Sequence, residues 1–264
     1  MTPDSSSLLS LAQKTIQCTN GNNIIAVASG KGGVGKTWLS IAMAGLLAGQ
    51  NQKVLLFDGD FGLANIDVQL GITPNQDIGG VLSGKIPMNK AITHFDAGGF
   101  DLIAGRSGCG SLGTLTDASL QLLKDDLMLL ATHYDKVIVD LGSGIGSATR
   151  LFAKAAGTVL ILCADEPSAL TDAYTLIKIL TQEKRTDTLR IIINSATTQK
   201  EGDRTYDLLV KACDSFLKVT PPLAGIIRRD SHVIDAIRRQ VSVINAYPDC
   251  VATKDVLSLL KNLK

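Results

Sequence analysis

Short apolar runs alternate along the chain with longer stretches of helical spacing. Residues 24–28, 54–57, 101–104, 136–139, 157–163, 189–193 and 223–227 are apolar nearly throughout. Runs that lack polar alternation predict strands buried on both faces. Residues 37–48, 119–131, 168–180, 205–216, 233–240 and 254–263 carry helical spacing, with Ser168 expected as an N-cap. Residues 66–70 and 78–82 are shorter elements between turns, and 105–113 is a glycine-rich loop. This order predicts one α/β domain, a mostly parallel central sheet covered by helices on both faces. Residues 1–22 read as a polar tail, 23–253 as the domain and 254–264 as a C-terminal amphipathic helix. Ligands of such sheets bind beyond the carboxyl ends of the strands. The loops at 29–37, 58–65 and 140–146 lie at that edge.

The first of these loops carries a complete motif. Gly30-Lys31-Gly32-Gly33-Val34-Gly35-Lys36-Thr37 fits GxxxxGK[ST] between an expected strand and an expected helix. Glycines let backbone N–H groups turn around phosphate oxygens, and the helix N-terminus adds its dipole. The motif predicts ATP as ligand, with Lys36 on the β- and γ-phosphates and the Thr37 hydroxyl on Mg2+. Trp38, directly after, is counted with this nucleotide-binding loop. Lys31 is a second lysine inside the loop, and spacing alone leaves it either at phosphate or facing solvent. Asp58 and Asp60 follow the second strand at alternate positions, which predicts both carboxylates on one side. Oxygen groups of this kind suit Mg2+ and the orientation of water. Asp140 ends an apolar run and opens into Gly142, Gly144 and Gly146, as a Walker B aspartate beside a γ-phosphate sensor would.

Composition narrows the classes. Lys plus Arg number 26 against 25 for Asp plus Glu, a balance that argues against strong non-specific binding to DNA. The five cysteines are odd in number and widely spaced, with no CxxC pair, so free thiols are expected rather than a zinc site or disulfide framework. No signal peptide is read at the N-terminus, and no apolar run approaches the roughly 18 residues of a membrane span. A cytoplasmic protein is expected, with peripheral membrane contact at most.

Lys31 within residues 30–37 resembles the deviant Walker A motif of the MinD/ParA family, bacterial ATPases of positioning and partition. The resemblance implies a P-loop NTPase fold and an ATP-dependent homodimer in which Lys31 reaches the partner's phosphates. It implies Lys31, Lys36 and Asp60 as catalytic residues, with Asp60 activating water. It further implies Asp58 in the Mg2+ shell beside Thr37, Asp140 as the switch aspartate, and Asn194 as the reader of the adenine edge. Residues 58–67, 81–84, 140–145, 166–174, 225–230 and 236–240 are similar to the flagellar number regulator branch, the MinD-like proteins FlhG and FleN. That branch implies a flagellar signal-recognition-type GTPase or a flagellar transcription regulator as partner. It also implies slow hydrolysis until a partner is present.

The sequence departs from the family pattern at Trp38, at Leu141-Gly142 and at Arg228-Arg229. Residues 8–14 hold at best a degenerate form of the motif that activates the GTPase. In the segment 254–264, Val256, Leu257, Leu259, Leu260 and Leu263 form an apolar stripe among lysines. It reads either as a helix packed on the domain or as the family's nucleotide-gated membrane anchor, without that anchor's bulky aromatic residue. Three other functions fit the loop. A partition ATPase would need a basic surface, for which Arg228, Arg229, Arg238 and Arg239 are the candidates. An iron protein would need paired interface cysteines, and Cys163 is expected to be buried at a strand end. A regulator with a merely structural nucleotide would not turn ATP over.

Overall fold

The computed structural model describes residues 21–105, 116–183 and 186–263. The strands are β1 (Ile24–Ser29), β2 (Val54–Gly59), β3 (Ile92–Phe95), β4 (Phe100–Ile103), β5 (Lys136–Ser143), β6 (Thr158–Ala164), β7 (Leu189–Ala196) and β8 (Leu223–Arg228). They form one sheet in the order β3-β4-β2-β5-β1-β6-β7-β8. All pairings are parallel except β3 with β4 at one edge. The apolar runs explain this: β1 and β2 are buried at every position, as strands covered on both faces must be.

The helices are α1 (Lys36–Ala48), α2 (Ile66–Leu70), α3 (Ile78–Leu82), α4 (Asp117–Ala131), α5 (Ser147–Ala155), α6 (Pro167–Gln182), α7 (Gln199–Leu217), α8 (Ser231–Arg238), α9 (Val243–Ala246) and α10 (Val251–Asn262). Helix α1 buries Leu39, Ile41, Met43 and Leu47 under the central strands, which is why its sequence holds so few charges.

Three expectations change. Helix α5, strand β3 and the short α9 lie where no element is read from the sequence. Helix α6 begins one residue earlier than expected: Glu166 is the N-cap and Pro167 the first helical residue, since proline already has helical φ and needs no N–H there. The segment 254–264 is not a free amphipathic unit. Helix α10 starts at Val251 and packs on β8 and α1, with Ala252, Val256, Leu259 and Leu260 buried. Most of the apolar stripe is covered by the domain. No helix among the described residues is long and apolar enough to cross a membrane. The degenerate motif at 8–14, Cys18, and most of the glycine-rich loop with Cys109 lie outside the described residues. Cys163 is buried, as expected.

Candidate active site

Strand β1 has β5 on one side and β6 on the other, so the loop that follows it leaves from the middle of the sheet. Two glycines of the loop are fixed by their surroundings. A Cβ on Gly30 would lie 2.2 Å from the Asp172 carbonyl oxygen in α6. Gly35, at φ 99°, is the left-handed cap of α1, and a Cβ there would lie 2.5 Å from both Asn194 Nδ2 and Trp38 Nε1. The loop therefore runs pressed between α6 and β7.

The two lysines of the loop diverge. Lys36 is buried and donates to Ser29 Oγ at 3.0 Å. Burial lowers its pKa, while the charges of Asp140 and Asp60 oppose the shift. Lys31 points outward along the lip of the loop. Its Nζ lies 2.6 Å from Glu166 Oε2 and 2.9 Å from Ser168 Oγ, at the start of α6. Ser29 completes the turn by donating to the Lys31 carbonyl at 2.7 Å.

Opposite Lys36 stand the acidic residues. Thr37 Oγ1 donates to Asp140 Oδ2 at 2.6 Å, and Ser40 Oγ lies 3.2 Å from Asp140 Oδ1. Burial raises the Asp140 pKa, against the bonds from Thr37 and Ser40 and the charge of Lys36. Asp58 pairs in register with Asp140 across β2 and β5. Its pKa is raised by burial and by Asp140, and the N–H groups of Asp60 and Ile66 only partly offset this. Its oxygens accept N–H bonds from Asp60, Asn65 and Ile66 at 3.1, 3.2 and 3.4 Å. Asp58 thus anchors the loop after β2 and lies beside Asp140 on the neighbouring strand. Asp60 lies beyond the end of β2, so a turn and not strand alternation brings it to the site. Its Oδ1 accepts from Gly62 and Leu63, and Gly142 approaches it from the loop after β5. The donors gathered around Thr37 are all oxygens, the chemistry Mg2+ prefers, and Lys36 supplies the balancing charge for phosphate. The residues present fit a nucleotide with its metal ion.

Comparison with known proteins decides the family. Residues 25–243 match the family model described as the CobQ/CobB/MinD/ParA nucleotide binding domain. The chain belongs to the MinD/ParA family. It is 36% identical over 225 residues to the antiactivator FleN of Pseudomonas aeruginosa, covering 85% of this chain and 80% of that one. It is 39% identical over 188 residues to the flagellum site-determining protein YlxH of Helicobacter pylori, covering 71% and 63%. Among solved structures, the septum site-determining protein MinD complexed with Mg-ADP from Pyrococcus horikoshii superposes with a TM-score of 0.76. That match holds at 21% identity over 92% of this chain and 96% of the other.

As a MinD-like ATPase, the protein gathers Lys36, Thr37, Asp58, Asp60 and Asp140 at one sheet edge. Two of the expected residues are engaged within the protein. The Asn194 side chain is 2% exposed and donates to the Val34 carbonyl at 2.7 Å, so it braces the phosphate loop. The Trp38 side chain is buried among core residues beside Val233 and Val243, with its Nε1 edge against Gly35. A first-turn residue offers a ligand its backbone N–H. Sequence reasoning missed Ser29, Ser40, Glu166 and Ser168. For Ser29 and Ser40 the signal is their spacing around Lys36: one ends β1 and the other lies one turn along α1.

Proposed function

We propose that this MinD-like ATPase acts as an ATP-dependent dimeric switch that regulates the number or placement of flagella. One observation carries the dimer: Lys36 turns into its own loop, while Lys31 stands on the lip and pairs with the exposed Glu166 instead of turning inward. A second lysine so placed adds little for a nucleotide in the same loop but can reach one held by a second copy. Leu63 and Ile145, 78% and 45% exposed on the two loops flanking the site, are apolar groups fit for burial between subunits. The flagellar role rests on the two relatives, named for flagellar site determination and for antiactivation. The second of these favours a transcription regulator as the partner.

In this reading Lys36 and the N-terminal amides of α1 hold the β- and γ-phosphates. Thr37, with Asp140 behind it, holds Mg2+, which neutralises phosphate charge when bound. Asp60 orients the attacking water and accepts its proton as the water oxygen bonds to the γ-phosphorus and the bond from that phosphorus to the β-phosphate oxygen breaks, ADP leaving with the electron pair. ATP binds the dimer better than the monomer, so ATP must favour the dimer. The test is light scattering of Asp60→Ala protein with ATP or ADP. A dimer is expected in ATP alone, and adding Lys31→Ala should abolish it. A monomer in saturating ATP and Mg2+ overturns the proposal.

Two of the four arginines that the partition alternative would use are engaged by neighbours, while Arg229 and Arg238 stay exposed. Arg228 forms two bonds to the Asp255 carboxylate, and Arg239 is held by Asp235 and the Tyr247 hydroxyl. A membrane anchor through 254–264 has less support than a packed helix, since Val256, Leu259 and Leu260 are buried in the domain and only Leu257 and Leu263 of the stripe are partly exposed.

A further inference from the structure

The lip of the phosphate loop and the first turn of α6 are in direct contact. Gly30 permits that contact by lying against the backbone of Asp172. The following residue, Lys31, is thereby delivered to the start of α6, where Glu166 and Ser168 both accept from its Nζ. Glu166 is the N-cap of α6 but makes no side-chain cap bond, and Ser168 makes none in its place. Neither side chain is used to satisfy its own helix, and both serve Lys31. The Lys31 and Glu166 side chains are 36% and 59% exposed, so the pair can open without disturbing the core.

We propose that Glu166 and Ser168 form a latch that holds Lys31 in cis, and that ATP-driven dimerisation proceeds at the expense of this latch. The inference rests on the dimer reading above and adds two positioning residues to it. An ammonium held by its own subunit's carboxylate and hydroxyl is not available to a partner's phosphates. The latch therefore opposes assembly until γ-phosphate competes with it. The γ-phosphate of ATP adds negative charge that ADP lacks, so the exchange is more favourable with ATP on the partner than with ADP. Arg229, on the exposed turn after β8, adds its charge to the field at Glu166. Glu166 thus keeps a cationic neighbour once Lys31 has left.

Exposed ion pairs contribute little each, but two latches open per dimer. Releasing both should lower the dimer dissociation constant by roughly 2- to 30-fold. The experiment uses full-length protein in the Asp60→Ala background, with Glu166→Gln and Ser168→Ala added separately. Two quantities are read. The first is the rate at which an amine-directed acetylating reagent labels Lys31 in nucleotide-free monomer, followed by mass spectrometry. The second is the dimer dissociation constant in ATP and Mg2+ from sedimentation velocity. Faster labelling together with tighter dimerisation in Glu166→Gln, and a smaller change of the same sign in Ser168→Ala, is the expected result. Unchanged labelling overturns the latch, because Lys31 was then not held. Faster labelling with weaker dimerisation also overturns it, since Glu166 would be supporting the dimer instead of opposing it. If labelling changes but no variant dimerises, the dimer reading has failed and the brake falls with it, while the contact itself stands.

Discussion

Lys36 concentrates most of the phosphate chemistry in one buried side chain. Lys36→Ala removes its charge from a loop that has no other inward cation, and ATP affinity should fall by at least ~100-fold in calorimetry. Asp60→Ala should behave differently. Its carboxylate acts on water and not on the nucleotide, so turnover should drop by roughly 100- to 10,000-fold with ATP affinity within about threefold. Hydrolysis at the wild-type rate in that variant would remove Asp60 from the mechanism. The motif residues 30–37, Asp60 and Asp140 were legible in the sequence because their chemistry is local: a loop, a strand end, a turn. The partners of Lys31 were not legible. Glu166 and Ser168 lie 135 and 137 residues away, and only the approach of α6 to Gly30 brings them into reach. The place of Asn194 was hidden for the same reason, since a buried amide 160 residues from the loop it braces leaves no sequence pattern.

Continuous apolar runs and long helical periods were legible, and short elements without either were not. Strand β3 is a half-exposed edge of four residues with no core-like apolar run. Helix α5 is only nine residues long and follows directly on the glycine-rich turn after β5. The C-terminal stripe was legible as a stripe, but its destination depends on β8 and α1. That destination can be tested. Leu259 is fully buried between these elements, and Leu259→Ala should destabilise the protein by about 2–5 kcal/mol in denaturant unfolding. A change below ~0.5 kcal/mol would mean that α10 is only loosely attached. The same corner holds a carboxylate shared by two helices. Asp230 Oδ1 caps α8 at the His232 N–H, and Oδ2 accepts from Ala252 in the first turn of α10. Burial acts to raise its pKa, but these N–H bonds and the His232 side chain outweigh it and bring it down to about 2. A depressed carboxylate stabilises the fold above its unfolded pKa of about 4 and loses that contribution as pH falls toward 2. Asp230→Ala should therefore cost ~1 kcal/mol at neutral pH and show a flatter decline in stability between about pH 4 and 2 than the wild type.

At the scale of the whole molecule, the sheet order sets where the protein can loosen. Strand β1 lies fifth of eight, with four strands beyond it on one side and three on the other. Fraying starts where a strand has one neighbour, and β3 is bound only to β4. Amide protons of residues 92–95 should therefore exchange with deuterium through small local openings. Those of residues 25–28 and 137–140 should exchange only when the whole chain opens, and so report the global unfolding free energy. The phosphate loop grows out of that slowest-exchanging seam. Its anchor can stay intact while the rim of the sheet breathes, so a ligand entering the loop meets a floor that is already rigid. Conformational work is left to the lips: the turn after β2, the turn after β5 and the lysine on the loop after β1.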